Sequence, residues 1–238
     1  WNQTHRGPNR GDRMKKTRIT VIGVGGIGSN LAVSVASAIS SGPLVCSLGG
    51  IRLNIIDSDK VENRNLMMGQ RFSHSDIGKD KVIAVRDAIS EFESGLFEVN
   101  PLSNDVRKLS DVPDSDIAIV CVDNMDARRV VHRLEIPWLD LRCSGDGYIA
   151  IDFRVRRDIA EPLTRGQNGP TSCQLDGWES GFLQSGYLGA ATFGFQWLIA
   201  ALRQRGGHSK STLPRPRSSS VTFGVLGELP TGEVIKNE

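Results

Sequence analysis

Apolar residues occur in short runs along the first 155 residues, and longer segments with helical periodicity separate these runs. The short runs are rich in isoleucine and valine and predict strands, whereas the longer segments predict helices. The predicted strands are residues 18–23, 51–57, 96–100, 117–122, 137–142 and 147–155. The predicted helices are residues 27–40, 79–93 and 125–134. Alternating strands and helices indicate an α/β domain with a mainly parallel sheet and helices on both faces.

The first predicted strand runs directly into a glycine-rich turn, which an apolar helix follows. Gly23 permits a tight turn, and Gly25 and Gly26 let the backbone approach a phosphate. Gly28 lets the helix pack closely on the strand, and the helix N-terminus offers N–H groups to an anion. Asp57, at the end of the second strand, can accept hydrogen bonds from a ribose. The pattern predicts a Rossmann-like nucleotide-binding unit, with a glycine turn that binds nothing as the alternative.

The rest of the chain has weaker periodicity, and we expect residues 18–238 to form a single domain. The remaining segments are predicted as a flexible arm (1–17), a long loop (about 156–181), a buried helix (183–202), a mobile basic stretch (203–220) and a closing hairpin (221–234). The hairpin would make the C-terminal portion of the sheet mixed or antiparallel.

Composition narrows the class of protein. The 29 basic and 27 acidic residues give a net charge of +2, which offers no reason to expect nucleic acid or a membrane as partner. The polar first 17 residues contain no apolar signal-peptide core, so we expect a cytoplasmic protein. The cysteines at 46, 121, 143 and 173 form no C-x-x-C pair, so no structural zinc is expected.

A series of short motifs follows the second predicted strand. Residues 57–65 read DSDKVENRN, residues 76–82 read DIGKDKV, residues 99–101 read VNP and residues 121–124 read CVDN. In order and spacing, residues 18–145 resemble the E1-like adenylyltransferase family, which includes ThiF, MoeB and the adenylation domains of ubiquitin-activating enzymes.

The resemblance implies an activity and partners. Members of this family use ATP and Mg²⁺ to adenylate a carboxylate, here the C-terminal glycine of a small ubiquitin-like or sulfur-carrier protein. It also implies a homodimer and a crossover loop, about residues 156–181, that covers the active site. A small-molecule or tRNA-linked carboxylate is the alternative within the family. An NAD-binding oxidoreductase and a nucleotide-binding scaffold without catalysis are the alternatives outside it.

The resemblance also implies roles for the charged residues. Asp123 would bind Mg²⁺, although Asp123 and Asn124 could instead cap the following helix. Lys81 would neutralise the β- and γ-phosphates, with an ordinary exposed helix lysine as the alternative. Lys79 is the better candidate for that exposed position.

The asparagine motif is only partly present. Asn65 matches the family asparagine, and Asp59 would help to contact the ribose, with a solvated acidic turn as the alternative. Met68 and Gly69 stand where the family has arginine and glutamine. We predict that a bulge at Gly69 turns Arg71 into the site as a replacement.

One cysteine is a candidate nucleophile. Cys173 lies in the long polar loop, where relatives that form a thioester or a persulfide place a cysteine. Its thiolate could attack the acyl-adenylate, and an ordinary loop cysteine is the alternative. Cys121 and Cys143 lie in or beside apolar strands and are expected in the core.

Overall fold

The computed structural model of the chain describes residues 15–165, 177, 180–220 and, for the backbone alone, 225–228. The strands are β1 Thr17–Ile22, β2 Ile51–Ile56, β3 Phe97–Leu102, β4 Ile117–Val120, β5 Trp138–Ser144, β6 Gly147–Asp152, β7 Arg217–Ser220 and β8 Val225–Glu228. The α-helices are α1 Gly26–Ile39, α2 Pro43–Ser47, α3 Asn63–Met67, α4 Lys81–Ala88, α5 Met125–Val131, α6 Arg157–Ala160 and α7 Gly186–Arg205. Within these described ranges, short 3₁₀ turns lie at His74–Asp76, Ser90–Phe92, Leu109–Asp111 and Pro162–Thr164.

Within the described residues the strands form one eight-stranded sheet in the order β3-β2-β1-β4-β5-β6-β7-β8. The strands from β3 to β5 in this order are parallel, and β6, β7 and β8 continue the sheet in antiparallel pairs. The predicted mainly parallel sheet with an antiparallel C-terminal portion is confirmed. Strands β2 and β3 are added on one side of β1, and β4 and β5 are added on its other side. Ligands of open α/β sheets bind at the point where the strand order reverses in this way.

Helices cover both faces of the sheet, as predicted. On one face, Ile19 and Val21 of β1 pack with the buried side chains of α1, α4 and α7. On the other face, Ile22 and Val120 pack with the buried residues of α5. Alternate residues of β1 therefore enter different cores, as the period of two along a strand requires. No helix in the described ranges is long and apolar enough to cross a bilayer.

Several segments differ from the sequence-based predictions. Helices α2 and α3 lie where no helix was predicted. The stretch 203–220, predicted to be mobile, contains the end of α7 and strand β7, which pairs with β6. The sequence RSSS of β7 lacks apolar alternation, so only its backbone pairing identifies it as a strand. The closing hairpin is β7 with β8, and therefore begins before residue 221.

Three predicted segments fall in large part outside the described residues. These are residues 1–14 of the N-terminal arm, residues 166–176 and 178–179 of the predicted crossover loop, and residues 221–224 and 229–234 of the predicted hairpin. The described beginning of that loop is helix α6 and the 3₁₀ turn Pro162–Thr164.

Candidate nucleotide-binding site

A cavity of about 540 Å³ opens at the carboxyl ends of β1, β2 and β4. This volume is in the usual range for small-molecule sites. Most of the residues predicted from the sequence line it, namely Gly23, Gly25, Gly26, Asp57, Asp59, Asn65, Lys81, Asp123 and Asn124. The parallel register brings Ile22, Ile56 and Val120 to the same edge of the sheet, so side chains that follow these strands meet there. A larger hollow of about 660 Å³ near the end of α5 contains none of the predicted site residues.

The glycine turn has the shape that a phosphate site needs. Gly23 has a φ of +89°, and a Cβ there would lie 2.9 Å from the backbone nitrogen of Val122. A Cβ on Gly25 would instead meet no atom within 4 Å, so this position faces open space in the cavity. Helix α1 begins at Gly26 without a side-chain cap, which leaves N–H groups of its first turn available to an anion. The turn therefore fits a phosphate, as the sequence predicts.

Gly28 serves packing rather than binding. A Cβ on Gly28 would lie 2.9 Å from the carbonyl carbon of Gly23 and closer still to its oxygen. Gly28 is absent from the cavity lining. Its position agrees with the close helix–strand packing predicted for this glycine.

Asp57 connects the glycine turn to the end of β2. One carboxylate oxygen accepts the N–H of Val24 at 2.8 Å, and the other accepts the N–H of Asp59 at 2.9 Å. Burial raises the pKa of Asp57, while Lys81 and the two N–H donors lower it. Because each carboxylate oxygen has a second lone pair, Asp57 can still accept a hydrogen bond from a ribose hydroxyl.

Lys81 and Asp59 form an ion pair at the cavity. The ammonium nitrogen of Lys81 lies 2.8 Å from Asp59 Oδ2, and the Lys81 side chain is only 11% exposed. The backbone of the two residues is also paired, since the Lys81 N–H donates to the Asp59 carbonyl at 2.9 Å. Lys79 pairs with Asp76 and does not line the cavity. The ammonium of Lys81 is thus held where it can meet an anionic ligand.

Asp123 and Asn124 have separate roles in the structure. The Asn124 side chain accepts the N–H of Asp126 at 2.8 Å and caps α5. The Asp123 side chain is exposed at the cavity and makes no hydrogen bond or ion pair with any described residue. Among the described residues no three His, Cys, Asp or Glu side chains gather as a metal site. A cation here would therefore take Asp123 together with oxygens of the ligand.

The segment after α3 corrects the placement predicted for Arg71. Gly69 has a φ of +68°, and a Cβ there would lie 3.1 Å from Tyr187 Cε1 and closer to its Cζ and hydroxyl oxygen. The Arg71 side chain turns away from the cavity, because its Nε donates to Asn30 Oδ1 at 2.7 Å. Gln70 lines the cavity instead, and its Oε1 is buried without a hydrogen-bond partner. An unpaired buried acceptor suits a donor on a bound ligand.

Sequence reasoning missed other lining residues. Arg64 of α3 and Gln70 face the cavity, and Asn65 between them is buried and accepts the N–H of Glu62 at 2.7 Å. Cys121 was expected in the core, but it packs against the core and also lines the cavity. The signal for Cys121 was its position directly after a strand, where the cavity opens.

A buried ionic cluster supports the loop that carries Asp123. Asp140 of β5 is fully buried and contacts the side chains of Arg128, Arg142 and His132. Arg128 also donates to the carbonyl of Val122, the residue before Asp123. The cluster therefore connects β5 to the β4–α5 loop at the cavity.

Burial governs ionisation in this cluster. Together with the positive charges of the neighbouring Arg142 and Arg128, it lowers the pKa of His132 to about 4. Burial also lowers the pKa of Arg142 to about 10. Near neutral pH His132 is therefore neutral, and it stacks on Trp138 with ring centroids 4.2 Å apart.

Cys173, the predicted nucleophile, lies outside the described residues.

The sequence also matches a known protein family and curated relatives. The model of the ThiF family matches residues 4–145. The molybdopterin-synthase adenylyltransferase of Escherichia coli (strain K12) is 27% identical over 119 residues, which are 49% of this chain and 44% of that protein. The NEDD8-activating enzyme E1 catalytic subunit of Arabidopsis thaliana is 29% identical over 159 residues, 66% of this chain and 31% of that protein. The chain thus spans less than half the length of these relatives.

Solved structures share the fold. E. coli MccB with ATP has a TM-score of 0.62 at 18% identity, over 92% of this chain and 65% of that chain. PaaA has a TM-score of 0.60 at 21% identity, over 91% of this chain and 64% of that chain. Because the family model covers more than half of the sequence, the chain belongs to the ThiF family.

Proposed function

We propose that this chain binds ATP with Mg²⁺ and transfers AMP to a carboxylate, as an E1-like adenylyltransferase. One observation carries the proposal. A single cavity at the carboxyl ends of parallel strands gathers an open glycine turn, a buried lysine and an unpaired carboxylate from separate parts of the chain. A dehydrogenase site would leave Lys81 and Asp123 without a role.

The chemistry needs a held triphosphate and a carboxylate in line with the α-phosphorus. A carboxylate oxygen attacks that phosphorus, an acyl-AMP anhydride forms, and pyrophosphate leaves. The first turn of α1 and Lys81 bind and neutralise the phosphates, Asp57 orients the ribose, and Gln70 Oε1 accepts a ligand donor. Asp123 would hold Mg²⁺. When bound, the ion would neutralise negative charge on the leaving pyrophosphate.

For the carboxylate we propose the C-terminal glycine of a small ubiquitin-like or sulfur-carrier protein. Support comes from two of the relatives, which are named for molybdopterin synthase and for the activation of NEDD8. The tail of the partner would enter the cavity, and two copies of the chain would act as a homodimer.

Pyrophosphate exchange into ATP tests the proposal, with small proteins ending in Gly-Gly as carboxylate donors. Asp123→Asn should lower exchange by about a hundredfold or more, because among the carboxylates of the described cavity lining Asp123 is the one without a hydrogen-bond or ion-pair partner. Asp126→Asn is the matched control, since its exposed carboxylate pairs with Arg129. Exchange by Asp123→Asn within about threefold of the parent would contradict the role of Asp123.

Calorimetry separates the proposal from an oxidoreductase. The parent chain should bind MgATP at least about tenfold more tightly than NAD. Tighter binding of NAD, with no heat from MgATP, would overturn the adenylyltransferase assignment.

Thioester transfer to Cys173 is a further part of the proposal. Cys173→Ser should keep pyrophosphate exchange, because adenylation needs no thiol, but should lose a reducible conjugate on a non-reducing gel. Cys46→Ser is the control, because Cys46 is exposed in α2, before the amino end of β2. A conjugate that survives in Cys173→Ser would move the nucleophile elsewhere.

A further inference from the structure

The described lining of the cavity is short of positive charge. Its carboxylates are Asp57, Asp59, Asp105 and Asp123, and its only lysine or arginine side chains are Arg64 and Lys81. Lys81 is already paired with Asp59. The position where the family pattern has arginine is Met68, which also lines the cavity. A triphosphate in this site therefore needs, besides Lys81, a second positively charged side chain from a position other than 68.

Arg64 occupies a position that can meet this need. It lies in α3, and Met68 is the C-cap residue of the same helix. Residues four apart lie on one face of a helix, so the side chains at 64 and 68 start from neighbouring points. Both residues line the cavity. A long arginine side chain can therefore cover the distance of one helical turn to the place where a guanidinium at 68 would act.

The Arg64 guanidinium is also available. Its Nε lies 2.7 Å from Glu62 Oε2, and the two side chains are 67% and 58% exposed. Exposed ion pairs of this kind contribute little free energy, so a triphosphate can replace Glu62 as the partner. Arg71, in contrast, is bonded to the buried side chain of Asn30 and does not line the cavity.

We infer that Arg64 supplies to the triphosphate the guanidinium that position 68 lacks. The inference rests on the proposed function, because it assigns a residue to the same nucleotide site. The β- and γ-phosphates, which AMP lacks, are the groups that Arg64 would contact, and a planar guanidinium can bind their oxygens in pairs. Loss of Arg64 should therefore weaken MgATP binding more than AMP binding. The Arg64 guanidinium would leave Glu62 when the triphosphate binds.

Calorimetry on the full chain tests the inference, with MgATP and AMP as probes. Arg64→Ala should weaken MgATP binding by about tenfold or more and AMP binding by less than about threefold. The matched control is Arg86→Ala, which removes an exposed arginine of α4 that lies outside the cavity. Its affinities for both probes should equal those of the parent chain.

A rescue variant tests the link between the two positions. Arg64→Ala combined with Met68→Arg should recover most of the lost MgATP affinity, because it returns a guanidinium to the same helix face. A double variant that binds MgATP no better than Arg64→Ala would overturn the equivalence of the two positions.

Other results overturn the inference directly. Parent-like MgATP binding by Arg64→Ala, or equal weakening of MgATP and AMP, would show that Arg64 does not contact the triphosphate. Failure of the parent chain itself to bind MgATP would overturn the proposed function, and the inference with it.

Discussion

Replacement of Gly28 by alanine should destabilise the fold by about 3 kcal/mol. The added Cβ would lie 2.9 Å from the carbonyl carbon of Gly23 and closer to its oxygen. Both obstructing atoms belong to the backbone of the glycine turn, so no side-chain rotation relieves the contact. Since ordinary contacts between carbon atoms begin near about 3.5 Å, α1 must retreat from β1 by at least about 0.6 Å.

The cost follows from what α1 buries. Ile27, Leu31 and Val35 of this helix are at most 2% exposed and pack in the core between sheet and helices. A gap of half an ångström to one ångström removes about a quarter to a half of the attractive dispersion energy of each contact along that face. Overpacking of a core costs about 1–3 kcal/mol, and the rigid backbone here places the effect at the upper end.

Thermal unfolding followed by circular dichroism measures the effect. For a chain of this length, about 3 kcal/mol corresponds to a fall in Tm of about 6–12 °C. Gly95→Ala is the matched control, because its Cβ would meet no atom within 4 Å and its φ is not positive. That variant should keep the parent Tm within about 2 °C. A Gly28→Ala protein with the parent Tm would refute the packing argument.

Further variants test the interior and the loop after α3. Asp140→Asn should lower the free energy of unfolding by about 3–5 kcal/mol, because it leaves buried guanidinium groups without their anion, and urea denaturation within about 1 kcal/mol of the parent would contradict this. Burial lowers the pKa of His132 from 6.5 to about 4, so the unfolded chain binds more protons between these values. Stability from this group should be complete above about pH 6.5 and fall by about 3 kcal/mol toward pH 4, and His132→Gln should remove that part of the pH dependence. Gly69→Ala should cost about 2–3 kcal/mol, because its positive φ is strained for alanine and the Cβ meets Tyr187; an unchanged urea midpoint would count against it.

Local patterns of sequence were sufficient for the fold and for part of the site. The apolar runs that form β1, β2 and β4 are each followed by polar or glycine residues. Because parallel strands end at one edge of a sheet, this order alone predicts that the glycine turn, Asp57 and Asp123 meet. The cavity contains all three. Strand β7 could not be predicted in this way, since its serines carry no apolar alternation and its pairing with β6 is distant in sequence.

The orientation of individual side chains was decided by tertiary contacts. Arg71 faces away from the cavity because Asn30, 41 residues earlier, holds its guanidinium, and the Gly69 turn that directs Gln70 inward is shaped around Tyr187 of α7. Sequence periodicity reports whether a residue is buried and which backbone conformation it favours, and both are local properties. Which of several neighbouring polar side chains reaches a ligand depends on hydrogen bonds and space supplied by distant segments, and these exist only once the helices have packed on the sheet.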